Sequence, residues 1–234
     1  MFGQYLPGLP GVRATKTARH KILFGGGLIP DILPGGVLVD GTASRDPSNT
    51  DTILNLQAGM LMGKITATGL FAPSLLGIST VAVVGGVTTT LTAAAAVVTE
   101  LVRRLGASGT FKLTGPPSAN GVVVTETVTY SAASGTSITM TAPANSFISG
   151  SFIQPIDGSE TPKSIIPDGF GIPIAEPDGT VVASVPWSDV PIAGMILAAQ
   201  IIHWPSDTSL RVWIQGRLND INGGKFVFDE RYAA

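Results

Sequence analysis

Glycine and proline cut this chain into short pieces. Twenty-nine glycines and 17 prolines are spread through 234 residues, and most intervals between them hold a strand and a turn but not three turns of helix. Two segments nevertheless read as helix. From Thr92, read as the cap, Ala93 to Leu105 places Ala93, Val97, Leu101 and Leu105 on one stripe, with Arg103 and Arg104 in the last turn and Gly106 as the stop. Glu100 falls on the opposite, polar face of that helix. The second helix follows Pro205, with Ser206 as cap, and runs to Leu218 with Leu210, Trp213, Ile214, Arg217 and Leu218 on one side; Gly216 weakens it.

Everything else reads as extended. Residues 22–40 divide at Gly25-Gly26-Gly27, Pro30 and Pro34-Gly35-Gly36; residues 41–52 form a polar loop with Asp46-Pro47 and Asn49 as turn formers; residues 53–84 are short β-branched runs separated by glycines. Strands are expected over 110–115, 121–132, 136–142 and 146–156. Val122, Val124, Glu126, Val128 and Tyr130 lie on one side of the second of these. Further extended pieces fall at 170–176, 180–187, 195–204 and 226–228, with Pro177-Asp178-Gly179 as a turn. The fold class is mainly β with two helices, a β-rich α+β chain without a fixed-period repeat.

The length suffices for one large domain or two small ones with a true core, and a chain without cysteine has no disulfide framework. Charged residues are only 13%, against about 25% in ordinary globular proteins. Despite a mean hydropathy of +0.37, Gly, Pro, Thr and Ser interrupt every window that could span a membrane. Pro7, Gly8, Pro10 and Gly11 break up any apolar signal region. The expectation is a protein made in a reducing cytoplasm, or carried in a particle assembled there, with neither membrane nor nucleic acid as partner.

Charge is unevenly placed. Arg13, Lys16, Arg19 and Lys21 give residues 1–30 a charge of +4 with no acid, leaving −6 on the remainder. A basic, Pro/Gly-rich arm of this kind stays mobile until a partner supplies contacts. It reads either as a solvated tail or as a segment that docks on an acidic protein surface; without interleaved aromatics it makes a weak nucleic-acid footprint.

Catalytic and metal chemistry find little material. The histidines are His20, in the arm, and His203, read as a strand-end residue packed beside Trp204. Gly25-Gly26-Gly27 and Gly35-Gly36 lack the lysine and hydroxyl of a phosphate loop and read as turns. Asp157-Gly158-Ser159-Glu160 gathers two carboxylates, a solvated turn in preference to a calcium loop. Asp168, Glu176 and Asp178 each stand beside Pro or Gly in turn contexts. Trp187, Trp204 and Trp213 have apolar neighbours and read as core or interface residues before they read as a sugar platform. No catalytic, cofactor or metal residues are assigned.

The segment AGMLMGKITATGLFAP (58–73) resembles a pattern of head-decoration proteins of tailed bacteriophages, in the broad class of the lambda-type capsid stabiliser. Residues 100–142 and 146–174 are similar to segments of phage decoration or head proteins. The resemblance implies a compact tulip- or barrel-like β body, a flexible N-terminal arm (1–30) that orders on the capsid, homotrimers, the major capsid protein as partner, and no enzymatic activity. Arg13, Lys16, Arg19 and Lys21 become the capsid-binding residues under it. The chain is roughly twice the length of the lambda-type stabiliser, so the body is assigned to 31–84 and 156–234 and an inserted β-rich lobe with one helix to 85–155. The expected function is a virion cement protein on the outer capsid surface. The alternative is a tail or baseplate component, or a host-surface glycan-binding module.

Overall fold

In the computed structural model residues 31–47, 54–167, 171–176, 178–222 and 226–231 are described. The fold is mainly β with two helices, and it includes a sheet curled into a half-barrel. The basic residues Arg13, Lys16, Arg19 and Lys21, together with His20, Gly25 to Gly27, Asn49 and Asp168, lie outside the described residues.

A six-stranded antiparallel sheet comes from one continuous stretch, 77–154. Its spatial order is Gly77–Ile78, Phe152–Gln154, Gly109–Gly115, Val124–Ser134, Ser137–Met140 and Thr90–Thr92. Alternation decides its two faces. Phe111, Leu113, Val128, Tyr130, Ile138 and Met140 point inward and are buried, whereas Thr125, Thr127, Thr129, Ser137 and Thr139 are exposed. Gly135, at φ +58°, makes the tight turn between Val124–Ser134 and Ser137–Met140. The sheet curls far enough for its edges to meet: Ser79 bridges Ala93, and Thr80 N–H donates to the Thr92 carbonyl at 2.8 Å.

Helix α1, Ala95–Leu105, packs on the inner face of this sheet through Val97, Val98 and Leu101. Gly77 is required for the fit, because a Cβ there would lie 2.3 Å from a Val97 methyl. The helix starts two residues later than the sequence suggests, and Thr92 does not cap it. Thr92 is held in a strand opposite Ser137, and Ala93 donates its N–H to the Thr136 carbonyl, so the chain is still extended at both positions. Ala94 occupies the cap position without a side-chain bond. Glu100 also departs from expectation: it is 5% exposed, because the loop 41–47 lies over its face of the helix and Arg103 bridges the two.

The flanking segments build the remaining sheets together. A five-stranded sheet runs Pro162–Ile165, Leu61–Lys64, Phe71–Pro73, Val37–Asp40 and Ser184–Trp187, so three strands from before the six-stranded stretch lie in its middle and one from after it lies at each edge. Asn55–Leu56 pairs with Ile172–Pro173. In a three-stranded sheet Pro191–Leu197 lies between Asp31–Ile32 and Phe226–Asp229, the last parallel to it. A parallel neighbour needs a crossover, and α2, Thr208–Asn222, supplies it. Leu210, Ile214 and Leu218 of α2 are buried against Ile165, Ile196 and Phe226, with Phe152 of the six-stranded sheet in the same cluster. Arg217 is exposed, its guanidinium 5.6 Å from the Trp213 ring centre.

Other boundaries move for local reasons. Asp207, not Ser206, caps α2: its Oδ1 accepts from the Ser209 and Leu210 N–H groups. The strand expected over 195–204 ends at Leu197 and gives way to a 3-10 turn, Ala198–Gln200. Gly59 presses against this turn, its missing Cβ 2.2 Å from the Gln200 carbonyl oxygen. His203 is therefore in a turn with φ +63° and not at a strand end. The strand expected from 121 begins at Val124, leaving Val122 82% exposed. Only Phe152–Gln154 of 146–156 is a strand, since Gly150 turns the chain before it. In the loop after Val37–Asp40 the turn former is Asp40, whose Oδ1 accepts from the Thr42 and Ala43 N–H groups.

Candidate interaction surface

Residues 77–154 contain five charged side chains: Glu100, Arg103, Arg104, Lys112 and Glu126. All five are partnered within the chain. Arg103 grips both oxygens of Glu100 at 2.6 Å and donates to the Thr42 and Ala43 carbonyls at 2.6 and 3.1 Å. Arg104, its side chain 3% exposed, donates to the Pro73 carbonyl, Asp157 Oδ2 and Ser159 Oγ at 2.7, 2.9 and 2.6 Å. Burial lowers the Arg104 pKa while Asp157 opposes the shift. Lys112 pairs with Glu160 at 2.6 Å, and Glu160 also accepts from the Gly158 N–H.

The turn 157–160 is thus not a solvated one. Its carboxylates complete a charged seam that fastens α1 and the strand Gly109–Gly115 to the flanking strands. Burial pushes the Asp157 pKa up, but the Arg104 charge and the Ser159 bonds outweigh it and leave that pKa lowered. Four of the five charges face this seam or the loop 41–47. The fifth, Glu126, accepts from the Ala144 N–H at 2.6 Å and from the Asn145 N–H and side-chain amide at 3.0 Å each. Those bonds lower its pKa despite the opposing effect of burial.

What remains outward on this side carries no charge. Residues 65–99 and 127–156 hold no Asp, Glu, Lys or Arg. From this neutral surface one loop projects three apolar side chains: Val81, Val84 and Val87 are 54%, 55% and 72% exposed. The loop is fixed. Val83, between them, is buried and bridges Phe147 by two backbone bonds of 2.8 Å. The Val84 N–H donates to Thr88 Oγ1, the Gly85 N–H to Ser146 Oγ and the Gly86 N–H to the Pro143 carbonyl. Gly85 is needed because a Cβ would come within 2.5 Å of the Ala144 oxygen. Since Glu126 holds residues 144–145, the exposed valines rest on a buttressed turn and lose little freedom on binding. The sequence signal was present as Val-Ala-Val-Val-Gly-Gly-Val (81–87), but a short-strand reading hid which valines turn outward.

The remaining sequence candidates do not converge. Glu176 and Asp178 form a closed turn, in which the Gly179 N–H donates to the Glu176 carbonyl and the Thr180 N–H to Asp178 Oδ1. Gly35 and Gly36, at φ +83° and +64°, make a turn. Trp187 is 2% exposed and contacts Phe71 edge-on, while Trp204 stacks on Phe228 and Trp213 packs on Phe152 in a different cluster. The three indoles therefore form no common platform. His203 lines a shallow depression with Asp46, Pro47, Met60 and Ile202. Among the described residues no three His, Cys, Asp or Glu side chains gather to hold a metal, and no helix is long and apolar enough to cross a membrane.

No protein-family model matches the chain, and no curated protein or solved structure matches it.

Proposed function

We propose that this chain is a structural, non-catalytic virion protein that coats the outside of a tailed-phage head, contacts the major capsid protein and stabilises the shell. The observation that carries the reading is the sorting of charge. Every charged side chain of residues 77–154 has a partner within the chain, leaving a neutral, hydroxyl- and valine-bearing surface of the kind that suits extensive protein contact. The resemblance of residues 58–73, 100–142 and 146–174 to head-decoration proteins supplies the particular shell. In this reading the flanking segments form the tulip-like decoration body, and the basic residues Arg13, Lys16, Arg19 and Lys21 attach to the capsid. A ligand that recognises the assembled shell and not its free subunits stabilises assembly by mass action. The glycan-binding alternative loses support from the separated tryptophans.

The test is co-sedimentation of purified protein with tail-free heads that lack it. Saturable binding at a fixed copy number per shell is expected. Binding to isolated tails with none to heads would transfer the chain to the tail machinery.

A further inference from the structure

We infer that Lys112 and Gln154 join covalently, the lysine amine displacing ammonia from the glutamine carboxamide with Glu160 as proton shuttle. The inference goes beyond shell binding and stands whether or not a shell is the partner. Lys112 and Gln154 are directly opposite each other on the neighbouring antiparallel strands Gly109–Gly115 and Phe152–Gln154. Opposed residues of such a pair share a face with Cβ atoms about 5 Å apart, within the reach of a lysine stem. Both side-chain ends are held on one residue: Lys112 Nζ donates to Glu160 Oε1 and Gln154 Nε2 to the Glu160 carbonyl, at 2.6 Å each. The second Glu160 carboxylate oxygen accepts from the Gly158 N–H at 2.7 Å, and the Thr66 N–H ties down the turn at the Asp157 carbonyl, at 2.8 Å. The shuttle is therefore fixed in place before anything reacts.

The three groups stand as reactants. Glu160 Oε1 lies within proton-transfer distance of the nucleophile. It takes one proton from the Lys112 ammonium, and the freed lone pair attacks Gln154 Cδ. As the Cδ–Nε2 bond breaks, a second proton of the lysine nitrogen passes through Glu160 to the departing Nε2. One amide and one lysine ammonium become one new amide and one ammonium ion, so atoms and charge balance with no co-reactant. Placement takes the role of an outside catalyst, because groups held in contact react as parts of one molecule. Gln154 is 1% exposed, which keeps hydrolytic water from its carbonyl, while the Lys112 side chain, at 28%, leaves ammonia a way out. The bond fastens the last strand of residues 77–154 to its neighbour. It restricts the unfolded chain as a disulfide does, in a chain without cysteine.

The experiment is intact mass spectrometry of the purified full chain under denaturing conditions, followed by a peptide digest. The expected result is a mass one ammonia below that of the sequence, with a branched peptide joining residues 112 and 154. Lys112→Arg and Gln154→Met should each restore the full sequence mass. Glu160→Gln, with unchanged circular dichroism, should join the pair about 100-fold more slowly in freshly synthesised chain. A wild type of full sequence mass overturns the inference. So does ammonia lost only elsewhere, for example by succinimide closure at Asn120-Gly121, or joining at the wild-type rate in folded Glu160→Gln. Should Glu160→Gln fail to fold, the mass and digest of the wild type decide alone. Shell binding by an unjoined wild type would leave the proposed function standing while removing this one.

Discussion

The six-stranded half-barrel and the flanking sheets solve the same problem in opposite ways. In the first, strands close in sequence pair with each other: Val124–Ser134 with Ser137–Met140, and Gly109–Gly115 with Val124–Ser134. In the second, Val39 lies opposite Val185, and Met62 opposite Ser164. The half-barrel closes around its own helix and shows the outside a neutral surface. The flanking sheets keep most of the exposed charge and take their partners from both ends of the chain. Local pairing lets one segment become a unit within a larger fold, and the charged seam at Arg104 and Lys112 is what joins that unit to the rest.

The sharpest way to separate the two regions is Leu101→Ala. Leu101 is fully buried in the core between α1 and the half-barrel, so the substitution should cost about 2–5 kcal/mol. All three tryptophans lie in the flanking region and Tyr130 in the half-barrel. Tryptophan fluorescence and far-ultraviolet circular dichroism during urea unfolding should therefore diverge, with the half-barrel melting first. Coincident transitions would show that the two regions unfold as one.

Arg104→Met acts on the seam itself. It removes three hydrogen bonds and leaves Asp157 without its cation, an expected loss of about 2–3 kcal/mol. The same two probes should again separate, now with both transitions moved. An unchanged midpoint in both would mean that apolar contacts alone hold the regions together.

The smallest effect is local and depends on pH. The folded pKa of Glu126 is lowered, so its contribution is complete above the unfolded carboxylate pKa and is lost as pH falls through the folded value. Acid should reduce hydrogen-exchange protection at Ala144 and Asn145 before the strands of the half-barrel lose theirs. Asp157, also lowered, follows the same sign at the seam. Undiminished protection at both amides once the Glu126 carboxyl is fully protonated would remove Glu126 as the buttress of the valine loop.

The contrast also explains what could be read from the sequence. Both helices and the strands around Phe111, Val128 and Ile138 follow from local alternation and spacing, because their partners are near in the chain. The burial of Glu100 is not legible in the sequence, since it depends on residues 41–47, far from α1 in the chain, and no helical periodicity records that contact. The turn 157–160 reads as solvated from sequence for the same reason: Arg104 and Lys112 reach it from about 50 residues away. Asp207 displaced Ser206 as cap because its second oxygen also accepts the Asn120 N–H, a tertiary contact. The valine loop was visible as sequence but not as surface, because only the bridge from Val83 to Phe147 decides which of its valines face out.

The central claim, that the chain is a shell-stabilising structural protein, is tested most directly by DNA release from heated phage heads made without it, measured before and after adding the purified protein. The account predicts that heads lacking the protein assemble normally, release DNA at a lower temperature and regain their resistance when the protein is restored. Equal resistance with and without it, accompanied by a defect only in attachment to the host, would contradict the account.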